Sequence, residues 1–361
     1  MYPGTENVNL VKDVGMIPYI LYKQYGYDST IVSYRNGEYP YLKKEVNGLK
    51  QSFISKVTGH STLDGLIYIF FNFPKIDILQ LYHFNRQTII WCIFFKLVKL
   101  GSCKTYLKLD AGEGIMELNL KPFELKVINY LMRTIDIIST ETTTIYNYLR
   151  AHWKREIFYV PNGFYDYEMR QELNISEKQN LIITVGRIGT KQKHTEVLLE
   201  GFKLFSKENC NWELKIIGPI EEDFKIYIEN YFKENPDLTN KVTFTGEITD
   251  RKELDGFYQR AKIFALTSRS ESFGLVYLEA MRFGCYIVTS NVIPAYDITS
   301  NEKYGKVFPI GDHIKLAKSL SEIVSKPDDI MRVMEESQEY VYANFYWPMI
   351  CGQIDELLKK N

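Results

Sequence analysis

The chain is short of the features that usually assign a protein quickly. None of its apolar runs reaches the eighteen residues that a membrane-spanning helix needs, and its first residues, "MYPGTENVNL", have neither the basic start nor the apolar core of a secretory signal. A cytoplasmic chain without a spanning helix is expected. Cysteine is sparse: Cys92, Cys103, Cys210, Cys285 and Cys351 are scattered, odd in number and never spaced as CxxC. That speaks against a disulfide framework and a zinc site, and predicts reduced core thiols. The five histidines show no ligand spacing, and no strand-end loop carries a DxD triplet. A GxGxxG fingerprint is also missing, which argues against dinucleotide-dependent dehydrogenases and sugar-nucleotide epimerases. No nucleic-acid partner is expected.

What remains is ordinary globular composition: 361 residues, 45% apolar, 25% charged, net charge -1, with room for two domains. The charge is uneven, since residues 1–165 hold 19 Lys/Arg against 14 Asp/Glu and residues 166–361 hold 25 against 31, or +5 and -6. Such asymmetry fits either compositional scatter or a basic half that meets anionic lipid or polymer.

Both halves share one rhythm. Short β-branched runs punctuate the first: "STIVSY" (29–34), "IDILQLYH" (76–83), "KTYLKLDAG" (104–112), "IDIISTE" (135–141) and "IFYVPNG" (157–163). The second repeats them with "NLIITVGRIG" (180–189), "WELKIIGP" (212–219), "KVTFTGEI" (241–248), "KIFALTS" (262–268), "CYIVTS" (285–290) and "GKVFPIGD" (305–312). Continuous apolar strands alternating with amphipathic segments imply parallel sheets covered on both faces, hence two doubly wound α/β domains whose ligands sit at strand carboxyl ends, in a cleft between them. The hinge is placed in "VPNGFYDYEMRQELNISEKQN" (160–180), giving domains 1–165 and 166–339, with a C-terminal helix, 340–361, packing back on the first.

Two loops of the second half suit an anionic ligand. After the strand "LIITVG" comes "GRIGTKQKHTEVLLEGF", where Arg187 and Lys193 flank a turn that opens an amphipathic helix. Further on, "SRSESFGLVYLEAMRFGCYIVTS" (268–290) reads as a turn, a helix and a strand. The amides of Phe273, Gly274 and Leu275 then sit at a helix N-terminus, where the macrodipole favours a diphosphate. Ser272 belongs to the same turn. Glu271 precedes the helix and can reach hydroxyls at the far end of the ligand, and Glu279, about a turn and a half in, can accept two hydrogen bonds from a vicinal diol such as ribose. Taken singly, each of these charges also fits a solvated surface.

In combination the stretch resembles the retaining GT-B glycosyltransferases of family 4, whose E-x7-E motif matches "ESFGLVYLE" (271–279). The likeness extends to "VGRIGTKQK", to "VTFTGEI", to "VPNG" and to the region of Trp347; it covers nearly all of the second half and thins in the first. It implies GT-B architecture, with Arg187 and Lys193 on the donor pyrophosphate, Glu279 on the ribose diol, Glu271 and the 272–275 turn on sugar and phosphates, and Glu247 and Ile248 lining the base. It also implies that no metal or other cofactor is needed, because the cationic pair and the helix N-terminus stabilise the departing diphosphate. Family members supply a glycine-rich loop after their first strand; here Gly4 stands at that place with almost no strand before it. Asp110, at the end of "TYLKLD", stands where a residue near the transferred sugar or acceptor hydroxyl is expected, although helix capping explains an aspartate there equally well. Glu271 and Asp110 would position groups and stabilise charge, not form a covalent adduct.

The reading is a hexose or N-acetylhexosamine transfer, with retention, from a nucleotide diphosphate sugar, UDP-linked by preference, to a growing glycan of bacterial cell-surface polysaccharide or glycoprotein assembly. A lipid-linked and a protein-linked acceptor both fit this reading, and a lipid-linked one would suit a site at the inner face of the membrane. The alternative is a non-catalytic GT-B-like subunit that binds a glycan or a partner glycosyltransferase. In "RQTIIWCIFFKLVKLGSCK" (86–104), Trp91, Phe94 and Phe95 beside Lys96 and Lys99 fit a membrane-facing helix or one packed on the sheet with snorkelling lysines. His83 fits either a cleft-facing group or a core histidine.

Overall fold

The computed structural model describes residues 1–110, 112–116, 122–167, 170 and 172–360, in two compact units: 1–167 with 345–361, and 168–344. Every named strand pairs in parallel.

In the first unit, β1 (Thr30–Ser33) pairs with β2 (Lys50–Phe53), and a separate sheet has the order β3 (Ile78–Tyr82), β4 (Lys104–Leu109), β5 (Ile137–Thr140), β6 (Phe158–Tyr159). The sheet is thus interrupted where one continuous doubly wound sheet is expected. Residues 1–3 lie at the interruption: the Met1 ammonium donates to Gln80 O, Tyr2 N–H to Val32 O at 3.0 Å, and Tyr34 N–H to Pro3 O at 3.1 Å. A cavity of about 500 Å³ lined by both facing strand edges, Thr30–Val32 and Ile78–Gln80, extends from there. β2 reads "KQSF", a polar edge strand with no apolar run to mark it. Helix Trp347–Lys359 packs against helix Asp13–Tyr25, burying Trp347, Ile350 and Ile354 with Met16, Ile17 and Ile20. Pro348 lies in its first turn, a place where the missing N–H costs nothing, so the chain breaks at Tyr346.

Trp91 and Phe95 are buried, Lys96 pairs with Asp136 at 2.7 Å and Lys99 with Asp77 at 3.5 Å. Helix Arg86–Val98 therefore turns its aromatic face to the core, and its lysines reach the surface along covered stems. Apolar side chains that face solvent in this part of the unit include Leu63, Phe70 and Phe71 on helix Ser61–Asn72, Ile90 and Leu97 on helix Arg86–Val98, and Leu100 after it. All five cysteines are free; Cys92, Cys285 and Cys351 are core thiols, whereas Cys210 is exposed.

The second unit holds one six-stranded sheet in the order β12-β11-β10-β7-β8-β9, from β7 (Gln179–Val185), β8 (Glu213–Ile217), β9 (Val242–Gly246), β10 (Ala261–Leu266), β11 (Tyr286–Ser290) and β12 (Gly305–Phe308). Counted along the unit, this is 3-2-1-4-5-6, the doubly wound order whose direction of winding reverses between strands 1 and 4. Here those are β7 and β10, paired through Ile182 with Ile263 and Ile183 with Phe264. Loops leaving two such strands diverge to opposite faces and leave a crevice at their carboxyl ends, which is where both anion-binding loops of the sequence fall. Gly218 lets the loop after β8 approach: a Cβ there would lie 1.9 Å from Gly186 O.

Candidate functional site

The loop after β7 folds on itself before helix Thr195–Phe205. Thr190 Oγ1 donates to Arg187 O, and the Lys193 amide donates to Thr190 O at 3.1 Å. The loop after β10 is stitched to it: Arg269 N–H donates to Gln192 O at 2.8 Å, Gln192 Nε2 to Ser270 O at 3.0 Å, and Thr267 Oγ1 lies 3.1 and 3.0 Å from the carbonyls of Lys193 and His194. At the centre, Lys193 Nζ donates to Glu271 Oε1 at 2.6 Å, with side chains only 15% and 8% exposed. Ser268 Oγ donates to the same oxygen at 2.7 Å, and its backbone carbonyl accepts from Ser290 Oγ.

This pair places a cation and a carboxylate, 78 positions apart in the chain, at the switch point of the sheet. Beside it, helix Leu275–Arg282 starts at Gly274, whose φ of 78° is left-handed and whose added Cβ would lie 2.6 Å from the Tyr277 ring. Only glycine meets both conditions without strain. No side chain caps this helix, so its first N–H groups can serve a bound anion.

Glu279 is half-buried on that helix and accepts from Tyr258 Oη at 3.0 Å. Burial pushes its carboxyl above the ordinary range, opposed by the Tyr258 hydrogen bond and by Arg251 and Arg282. Arg187 is exposed and donates to Gln192 Oε1 at 3.1 Å. Ser272 is exposed, while Phe273 is buried. Glu247 and Ile248 follow β9, at the same end of the sheet but two strands from β7. His194, left-handed at φ 51°, holds Arg269 through Nε2 at 2.9 Å; burial and then the Arg269 charge depress its pKa.

Gly4 and Asp110 belong to the first unit. Gly4 is exposed in a turn, and Asp110 is exposed one residue beyond β4. His83, left-handed at φ 62°, brings Nδ1 to 3.4 Å from Asp110 O. Behind Asp110 lies a polar cluster that no motif in the sequence singled out, although "IDIISTE" ends on one member, Glu141, and "VPNG" contains another, Asn162. Lys108 and Glu141 are fully buried, 3.8 Å apart, and Asn162 Nδ2 donates to Glu141 Oε2 at 2.5 Å. Asp13, buried at the start of its helix, completes the set; burial raises its pKa, Lys108 opposes and Asp110 adds. Among the described residues no three His, Cys, Asp or Glu side chains converge as metal ligands.

A doubly wound sheet with a cation, a carboxylate and an uncapped helix N-terminus at its switch point is an arrangement suited to an anionic ligand. The fold of the whole chain is GT-B: it superposes on the crystal structure of Anabaena Alr3699/HepE in complex with UDP and glucose with a TM-score of 0.70, at 14% identity, over 99% of this chain and 98% of that one. Residues 166–340 match the family described as "Glycosyl transferases group 1". Curated relatives include an uncharacterized glycosyltransferase of Haemophilus influenzae, 26% identical over 44% of this chain and 43% of its own length. A capsular polysaccharide biosynthesis glycosyltransferase, CapM, of Staphylococcus aureus is 27% identical over 39% of this chain and 36% of its own. The match spans less than half the length of either relative.

Proposed function

We propose that the chain is a retaining, metal-independent glycosyltransferase that moves a hexose or N-acetylhexosamine from a UDP-sugar to a growing glycan in bacterial cell-surface assembly. The observation that carries this is the Lys193–Glu271 pair beside the helix N-terminus at Gly274. A diphosphate would take Lys193, Arg187 and the amides at the start of helix Leu275–Arg282, and Glu279 would accept from the ribose diol. Released from Lys193, Glu271 would accept from sugar hydroxyls. As diphosphate leaves, the same cations and amides stabilise its growing charge, so the reaction needs no protein nucleophile. UDP in the Anabaena structure and the capsular polysaccharide role of the Staphylococcus relative support the donor and the setting.

The first unit would hold the acceptor. Contact with a membrane, and a cytoplasmic place at its inner face, are part of the same proposal; they rest on the exposed Phe70, Phe71 and Leu97, because Trp91 and Phe95 are core residues. Among the described residues no helix is long and apolar enough to cross a membrane. The test is nucleotide release from UDP-glucose, UDP-N-acetylglucosamine and GDP-mannose, with EDTA and with magnesium, and NMR of the product anomer. UDP release in EDTA with retained configuration supports the reading; no binding and no release with any donor overturns it.

A further inference from the structure

The polar cluster under Asp110 has a geometry that ordinary packing does not require. β4 and β5 pair with Leu109 opposite Thr140, so the next residues, Asp110 and Glu141, leave the sheet side by side at its carboxyl edge. β5 and β6 pair with Thr140 opposite Tyr159, which brings Asn162 to the same edge. Glu141 is fully buried and Asp110 is exposed, so a ligand can touch only the second. Glu141 Oε2 is engaged by Asn162 and faces Lys108, whose ammonium also donates to Val160 O at 3.3 Å. Its Oε1 is buried with no hydrogen-bond partner, a costly state for a carboxylate oxygen.

We propose that Glu141 is a positioning residue for Asp110, and that the two carboxyls, holding one proton between them, form a seat for a neutral sugar hydroxyl in the first unit. This rests on the reading of Asp110 as a contact of the transferred sugar or acceptor. Protonated Glu141 donates from Oε1 to Asp110, which fills the orphaned oxygen and fixes the Asp110 rotamer. Asp110 then presents its remaining lone pairs to a ligand O–H. The charges facing Glu141 from the described elements are Lys108 and Asp110 of the β4 strand and its end, and Asp13 of helix Asp13–Tyr25; His83, after β3, faces Asp13. One buried cation, Lys108, faces two buried carboxyls with the exposed Asp110 beside them, so a proton is retained: burial raises the Glu141 pKa, with Asp110 and Asp13 adding and Lys108 opposing. The same excess of carboxyls repels a phosphate or carboxylate, so the group received is an uncharged hydroxyl.

The test is a carboxyl-carbon NMR titration of protein labelled at glutamate Cδ and purified at full length, with Glu141→Gln identifying the signal. Glu141 is expected to titrate clearly above the ordinary glutamate value of about 4.3, and Asp110→Asn to lower it by about a unit or more. An ordinary midpoint, or one indifferent to Asp110→Asn, overturns the proposal. UDP release from UDP-glucose gives the second readout. Glu141→Leu should lower kcat/KM about tenfold at every pH. Glu141→Gln, permanently neutral and still a donor, should recover most of that loss and abolish the decline of the wild type as pH rises through the Glu141 midpoint. Equal loss in both variants would make Glu141 a packing residue and overturn the proposal. If the wild type releases nucleotide from no donor, the transferase reading fails, while the titration still decides the carboxyl pair.

Discussion

Lys193 already gives one of its three N–H donors and part of its charge to Glu271, so a diphosphate competes with that carboxylate for it, with a measurable consequence. Charge-assisted hydrogen bonds to a phosphate contribute about 1.5–3 kcal/mol each, and every 1.4 kcal/mol is a factor of ten. In the free protein Lys193 gives one such bond to Glu271 at 2.6 Å, so binding exchanges one partner for another and the net gain falls near the lower bound. Lys193→Ala should therefore weaken UDP binding about tenfold in the wild-type background. Glu271→Gln removes the competing carboxylate. UDP affinity should then hold or rise by up to about tenfold, and Lys193→Ala made on that background should cost more, about thirty- to a hundredfold. The single Lys193→Ala variant also leaves Glu271, 8% exposed, without its cation and with the Ser268 hydroxyl still donating to it, a loss of about 1–3 kcal/mol in stability that Glu271→Gln should largely restore. Calorimetric titration of the four proteins with UDP, with thermal melts beside it, measures both quantities. Equal effects of Lys193→Ala in the two backgrounds would refute the competition, and an unchanged affinity in both would refute the site.

Gly274→Ala places a Cβ 2.6 Å from the Tyr277 ring at a φ of 78°, and should cost about 1–3 kcal/mol, read as a lower Tm, together with weaker UDP binding as the helix N-terminus shifts. Glu279 has a raised pKa in the fold, so it binds protons more tightly there than in the unfolded chain. Its contribution favours the fold below the unfolded value and is lost as pH rises from there through the folded pKa; Glu279→Gln should flatten that part of a Tm–pH curve. UDP affinity should rise over the same interval as the carboxylate forms to accept the diol, and Tyr258→Phe, which removes a hydrogen bond that lowers this pKa, should move the rise to higher pH in a series of binding titrations.

The features legible in the sequence are those set by neighbouring residues. Each strand of the second unit announces itself as a continuous apolar run because both faces of a parallel sheet are covered. Glu271, Gly274 and Glu279 lie within one turn and one helix, so their spacing alone fixes their mutual placement. β2 escaped because "KQSF" is a half-exposed edge strand that needs no apolar face. The lysines and aromatics of helix Arg86–Val98 fitted two readings, because a helical period shows which residues share a face but not what that face meets; the burial of Trp91 and Phe95 decided it. Strand order was beyond any local signal. That β10 lies next to β7 is a matter of long-range pairing, and this pairing alone brings Lys193 to Glu271. The same holds in the first unit, where the register of β4 on β5 sets Asp110 beside Glu141 across 31 positions of chain. The chain's own pattern determined where strands end and what chemistry waits there. Only the folded sheet decided which ends are neighbours, because that choice depends on burying every strand's two faces at once.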